Sequence, residues 1–221
     1  EVLKIVAQAV REEFKSRPDV KKNVSVSQND GDGYCTCENC GAIDKREESH
    51  MGSLLAFVNA VADEIAKTHP NVKIGTLAYN YSQKPPKTIR PRPNVQIQLC
   101  SVRCRPTRPI NDPTCAQNEG FRRALAGWSR ICNDIGIWNY NLNHHNYLMP
   151  NPNMRVVESN IRFFVANNTR RIFMQSPHGV STEFSDMKNY VTSRLLWNPK
   201  LNGRQLRNEF LRLHYGQAAG P

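Results

Sequence analysis

Lys73-Ile74-Gly75-Thr76-Leu77-Ala78-Tyr79 is the stretch on which the fold turns. Apolar residues alternate with small or polar ones, the period of a strand. The segment that follows, residues 80–93, carries Pro85, Pro86, Pro91 and Pro93, so it reads as a loop rather than a helix. Residues 94–100 then read as a second strand. A long polar loop thus leaves the first strand, while the entry at His69-Pro70 is short.

The same pattern extends outward. Upstream, Leu54, Phe57, Val58, Val61, Ala62 and Ile65 recur at helical spacing. Before them lies a Gly- and Cys-rich loop, residues 29–49, and before that Val24-Ser25-Val26-Ser27, which alternates like a strand. Val2, Ile5, Val6, Ala9, Val10 and Phe14 make the opening segment an amphipathic helix. Downstream, a polar loop over 101–118 leads to a helix over 119–132, then to a strand at Ile135-Gly136-Ile137-Trp138. A loop to residue 153, a helix over 154–167 and a strand over 171–175 follow. Two last helices are expected near 186–197 and 204–215.

Strands alternating with helices predict a parallel sheet. A doubly wound sheet would usually show G-x-G-x-x-G after a strand, and none occurs. Long polar loops instead follow the strands, at 29–49, 80–93, 101–118 and 139–153, while the entering turns are short. That asymmetry predicts an α/β fold of the (β/α)8 TIM-barrel type, whose functional loops gather at the carboxyl ends of the strands. No linker divides residues 1–221, so one domain is expected. The chain opens at Glu1 inside a helix and looks like the C-terminal portion of a longer polypeptide. Five strands cannot close an eight-strand barrel, so the outer two should have open edges, or edges covered by upstream residues or another chain.

Hydrophobic residues make up 39% of the chain, enough for a core, and no apolar run reaches the roughly 20 residues of a membrane span. No signal peptide is visible. The net charge of +11 fits a soluble basic protein, an anionic glycan ligand or a nucleic acid. The densest arginines, Arg90, Arg92, Arg103, Arg105 and Arg108, lie in Pro-rich loops with no nucleic-acid motif beside them, so a nucleic-acid module ranks last.

Aromatic and amide residues cluster at the strand ends. Tyr79, Trp138, Tyr140 and Tyr147 offer flat faces on which sugar rings pack, unless Trp138 fills a barrel interior and Tyr147 packs a loop. Asn29, Asn80, Asn139, Asn141, Asn143, His144, His145 and Gln175 can serve sugar hydroxyls; the two histidines also read as a plain loop feature. Glycoside hydrolysis needs two carboxyl groups about 5–9.5 Å apart. Asp30, at a strand end before Gly31, is the first candidate, with a turn-former as its alternative. Glu183 is the second, against the reading that Glu183 and Asp186 cap a helix.

There are seven cysteines, and Cys35, Cys37 and Cys40 are tightly spaced. They read as part of a structural zinc site with Cys100 or Cys104 as fourth ligand. Disulfides from Cys37 or Cys40 to Cys100 or Cys104 are the competing reading, and the odd count then leaves a thiol over. No cofactor is expected in catalysis.

Ser25 to Asp30, Cys35-Thr36-Cys37-Glu38-Asn39-Cys40, Phe57 to Ala62, Leu77-Ala78-Tyr79, Leu99-Cys100-Ser101, Ile137-Trp138-Asn139-Tyr140, Pro150 to Asn153, Leu195-Leu196-Trp197 and Tyr215-Gly216 carry a resemblance. Over nearly its whole length the chain resembles a bacterial domain-of-unknown-function family of the glycoside hydrolase superfamily, distantly like β-hexosaminidases and α-glucuronidases. The resemblance implies that barrel strands four to eight lie here and that strands one to three lie upstream. It implies a polysaccharide-degrading setting, extracellular or periplasmic, and a carbohydrate ligand. Hexosaminidase relatives carry an acidic pair where this chain has Asn29-Asp30. Members commonly carry Asp at position 139 and many carry Glu at 174, where this chain has Asn139 and Met174. The resemblance therefore implies either a glycoside hydrolase or an inactive glycan-binding member.

Overall fold

The structure is a computed structural model that describes residues 1–16, 23–143, 146, 149–176 and 182–220. In chain order its elements are α1 (Val2–Ser16), β1 (Asn23–Ser25), α2 (Glu38–Glu47), α3 (Met51–Ala66), β2 (Lys73–Ala78), β3 (Val95–Cys100), α4 (Glu119–Ile131), β4 (Ile135–Tyr140), α5 (Val157–Ala166), β5 (Thr169–Gln175), α6 (Ser185–Trp197) and α7 (Gly203–Tyr215). The strands form one five-stranded parallel sheet in the order β1-β2-β3-β4-β5, alternating with helices. Among the described residues no helix is long and apolar enough to cross a membrane. The chain divides into two compact units, Glu1–Cys100 with Arg123–Gly136, and Ser101–Arg122 with Ile137–Pro221.

In the first unit the helices bury one face of the strands. Ile74, Thr76 and Ala78 of β2 and Val95, Ile97 and Leu99 of β3 are buried with Leu55, Val58, Ala62 and Ile65 of α3. The intervening residues Gly75, Leu77, Gln96 and Gln98 stay half-exposed on the opposite face. Strands covered on both faces read as continuous apolar runs. Here the alternation shows that only one face is covered, which is why the period was visible in the sequence. Asn23 Nδ2 donates to Gln96 Oε1 at 3.3 Å, and Gln96 Nε2 to Asp134 Oδ2 at 2.7 Å, a polar line across that open face.

Two buried side chains hold the proline-rich loop. Asn59 donates to Arg90 O at 2.9 Å and accepts from Arg92 N–H at 3.0 Å. Glu47, wholly buried, accepts from Thr88 N–H and Oγ1 at 2.6 Å each and from Ile89 N–H at 3.0 Å. Proline keeps this segment non-helical, and these acceptors give its free N–H groups partners.

In the second unit Val157 and Ile161 of α5, Met187, Val191 and Leu195 of α6 and Leu206 of α7 form the core against Ile172 and Met174 of β5. Asn202 caps α7 by accepting from Gln205 N–H at 3.0 Å.

Several boundaries differ from expectation. The loop over 29–49 contains α2, whose sequence lacks the apolar stripe that marks a helix, so periodicity could not find it. β4 runs on through Asn139 and Tyr140, and just beyond it Asn141 N–H donates to Gln175 O at 2.8 Å. β1 stops at Ser25, β5 starts at Thr169, and α5 begins at Val157 after a turn closed by Val156 N–H to Asn153 O at 3.0 Å.

Candidate functional site

At the carboxyl ends of β1, β2 and β3 the first unit brings Asp30, Tyr79 and Cys100 together. Tyr79 follows Ala78, whose side chain is buried beneath the helices, so strand alternation turns Tyr79 toward the open face. Its backbone is clamped: its N–H donates to Ser82 Oγ at 3.1 Å, and Gln28 Nε2 donates to Tyr79 O at 3.3 Å and Ser82 Oγ at 2.7 Å. Asn80 takes a left-handed φ of 49°, which asparagine tolerates, and turns the chain away there. The Tyr79 hydroxyl hydrogen-bonds the exposed Asp30 carboxylate; burial, then that negative charge, push its pKa above the ordinary tyrosine range. Burial and the Asp30 charge likewise push the Cys100 thiol up to about 12, so it stays protonated. Asn29 is exposed beside this group.

A second cluster in this unit was not anticipated. Asp44, buried, accepts from Ser53 N–H at 2.8 Å and pairs through Oδ2 with His50 Nδ1 at 2.9 Å. Tyr34 stacks on the His50 ring at 3.7 Å between centroids, and Tyr81 lies edge-on at 6.4 Å. Burial, then Asp44, raise the Tyr81 pKa. A buried carboxylate orienting an imidazole leaves its Nε2 as the working nitrogen. Nothing in the sequence links residues 34, 44, 50 and 81, and Asp44 sits on α2, the helix that periodicity missed, while His50 precedes α3.

Cys35, Cys37 and Cys40 do converge: their Sγ atoms all lie within 4.8 Å of one another. Cys37 occupies the N-cap of α2 in extended conformation, and the helical turn carries Cys40 back over it. The Cys40 N–H and then the Cys35 and Cys40 thiols lower the Cys37 pKa. The price falls on Cys40, which hydrogen bonds from Cys35 and Cys37 push up to about 12. Cys37 therefore forms a thiolate, the species a metal needs, more readily than Cys40. Tetrahedral zinc with Zn–S of about 2.3 Å spaces its sulfurs by ~3.8 Å, so the cluster could hold such a metal. Cys100 and Cys104 are not part of this group. Cys100 lies near Asp30, and Cys104, in the second unit, is pushed up to about 12 by burial and by Cys115. None of the seven cysteines is in a disulfide.

In the second unit Trp138 and Tyr140 project from alternate positions of β4, with ring centroids 6.3 Å apart and planes inclined by 22°. Phe173 of β5 meets Trp138 edge-on at 5.1 Å. Gln175 Oε1 takes the Trp138 Nε1–H at 2.7 Å and so fixes the indole. Asn139 points the other way and is buried, accepting from Ser101 Oγ at 2.6 Å with its Nδ2 3.3 Å from Met174 Sδ. The two positions at which the resemblance leads one to expect acids are thus in direct contact. Glu183 accepts from Asn151 N–H and from Lys188 Nζ, both at 2.8 Å. Burial opposes its ionisation, but the ammonium and the N–H outweigh it and hold the carboxyl below its usual range. It ties a loop to α6 rather than capping that helix. His144, His145 and Tyr147 lie outside the described residues.

A cavity of about 410 Å³ opens beside β4, lined among others by Ser101, Arg105, Asn139, Tyr140, Asn151 and Asn160. Its polar wall went unnoticed in the sequence because Arg105, Asn151 and Asn160 come from three separate segments. No curated protein matches the chain. The family model of DUF4838, a domain of unknown function, matches residues 1–221, and the chain belongs to that family along its whole length.

Proposed function

We propose that the chain is a (β/α)8-type wall, strands four to eight of a glycoside-hydrolase-like barrel, and that it holds a carbohydrate at the carboxyl ends of its strands. The strand order supports the barrel. Each crossover advances one strand in the same direction, β1 to β5, whereas a doubly wound sheet reverses its order partway. Right-handed crossovers in one direction place their helices on one face. The half-exposed Leu77, Gln96 and Gln98 of the first unit fit an interior face left open.

One observation carries the carbohydrate reading: the open-face positions at strand ends bear Tyr79 beside a carboxylate and Trp138 with Tyr140 as ring platforms. Flat rings pack against sugar C–H faces, and the carboxylate can take a hydroxyl or a proton. In this reading hydrolysis of an O-glycosyl bond runs through Asp30. Glu183, held ionised by Lys188, is committed to an ion pair within the second unit.

Glycan binding without turnover is the second reading. Its support is that Glu183 already spends its charge on a half-buried ion pair, and that Asn139 and Met174 stand where acids would serve. The test is a panel of glycosides offered to the intact polypeptide, with Asp30→Asn as control. Turnover lost in the variant while binding persists supports hydrolysis. Binding without turnover in the unaltered protein supports the second reading. If no glycoside binds, both fall.

A further inference from the structure

We infer that the cavity of the second unit is a subsite for the oxyanion of an acidic sugar, a uronate carboxylate or a sulfate ester. This rests on the carbohydrate reading above and names the class of sugar it selects.

Among the described residues the cavity wall contains Arg105 and no aspartate, glutamate, lysine or histidine. The Arg105 side chain is exposed and has no hydrogen-bond or ion-pair partner among the described residues. Its neighbours are committed. Arg108 Nε donates to Asp112 Oδ2 at 2.9 Å, and Arg122 Nη1 donates to the carbonyls of Ile110, Asp112 and Cys115 at 3.1, 2.8 and 3.2 Å. The Arg105 backbone is nonetheless fixed, because its N–H donates at 2.7 Å to Oδ1 of Asn118, which is fully buried. A guanidinium held at its base and unpaired at its tip is arranged to meet a carboxylate or sulfate through two N–H groups.

Asn151 supplies a second donor. It is 6% exposed, and its Nδ2 has no acceptor among the described residues. Its backbone is gripped on both sides: the N–H by Glu183 Oε2 at 2.8 Å, the carbonyl by Lys188 Nζ at 3.0 Å. A buried donor without a partner costs about 1–3 kcal/mol, a penalty that an acceptor on a ligand removes. Glu183 does not cancel the site's charge, because Lys188 balances it. A neutral sugar would satisfy the amides but leave the guanidinium unmatched, and the volume lies within the roughly 300–1,000 Å³ of small-molecule pockets.

The test is calorimetric titration of the full chain with three oligosaccharides of equal length: one neutral, one ending in a uronate, one carrying a sulfate ester. At least one acidic ligand should bind about tenfold or more tightly than the neutral one, as charge-assisted hydrogen bonds require. Arg105→Ala should abolish that preference; Asn151→Ala should reduce it in part. Because Arg105→Ala removes one charge from a net +11, diffuse attraction alone would barely change. Which acidic ligand gains tells carboxylate from sulfate. Equal affinity for all three, or a preference that survives Arg105→Ala, overturns the subsite while the carbohydrate reading stands. Failure of all three to bind overturns both.

Discussion

The two units treat their rim carboxylates in opposite ways. In the first, Asp30 is exposed and, among the described residues, lies beside the Tyr79 hydroxyl and the protonated Cys100 thiol. In the second, Glu183 is mostly buried, accepts a backbone N–H and faces an ammonium whose side chain is 6% exposed. The first carboxylate has coordination to spare for a ligand, and removing it costs the fold little. The second is part of the architecture. Position at a strand end therefore does not make a carboxylate catalytic; what matters is how many protein donors already claim it.

That contrast can be broken most sharply at Asp30. On the hydrolase reading, Asp30→Asn lowers glycoside turnover by about 10²–10⁴-fold, the usual worth of a group that transfers a proton in the transition state. Its urea midpoint should match that of the unaltered chain. Turnover that persists in the variant removes Asp30 from the chemistry, and a large drop in the midpoint makes it a structural residue like Glu183.

In the second unit Lys188→Met should destabilise the chain by about 3 kcal/mol in denaturant unfolding, because it strands a half-buried carboxylate. Adding Glu183→Leu to that variant should restore much of the loss. A single-variant effect below about 1 kcal/mol would mean that water already solvates the pair.

Glu47 extends the comparison, since it is buried like Glu183 yet held chiefly by neutral donors. Burial opposes its charge, but the Thr88 hydroxyl, the Ile89 and Thr88 N–H groups and Arg46 outweigh it and bring the pKa from 4.5 to about 2. A depressed folded-state pKa stabilises the fold above the unfolded value. That contribution is present above pH 4.5 and is lost as pH falls toward 2, with Glu183 adding in the same direction. Glu47→Gln should cost about 2 kcal/mol at neutral pH and flatten the acid limb of a pH–stability curve. An unchanged acid limb would show that Glu47 does not govern it.

The smallest effect is expected at the cysteine cluster. One zinc per chain should bind, and Cys37→Ser should weaken it by about tenfold or more, since a thiolate ligand is lost. Metal analysis with thiol titration reads both; a chain without metal and with fewer than three titratable thiols would favour disulfides.

Strand and helix types were legible wherever one face of an element is apolar and the other is not. β2 and β3 alternate because helices cover one side only, and proline marked the loop between them. α2 escaped because Asp44 and Glu47, its buried residues, are charged: they serve hydrogen bonds to Ser53, His50, Thr88 and Ile89 rather than a hydrophobic stripe. At the site, the spacing of Cys35, Cys37 and Cys40 foretold their convergence because one helical turn brings near neighbours together. The expected fourth cysteine did not follow, since Cys100 and Cys104 are placed by other elements. That Gln175 Oε1 fixes the Trp138 indole could not be read from the sequence, because the two residues lie on different strands.

The linear chain by itself determined a parallel α/β architecture, the side on which its long loops emerge, and a local thiol cluster. These follow from periodicity and short-range spacing, which act over a few residues. Tertiary structure alone decided which carboxylate is spent, which arginine is left unpaired and which histidine is oriented. Those outcomes depend on partners from distant segments, and hydrogen-bond geometry between such partners is set only when the chain packs.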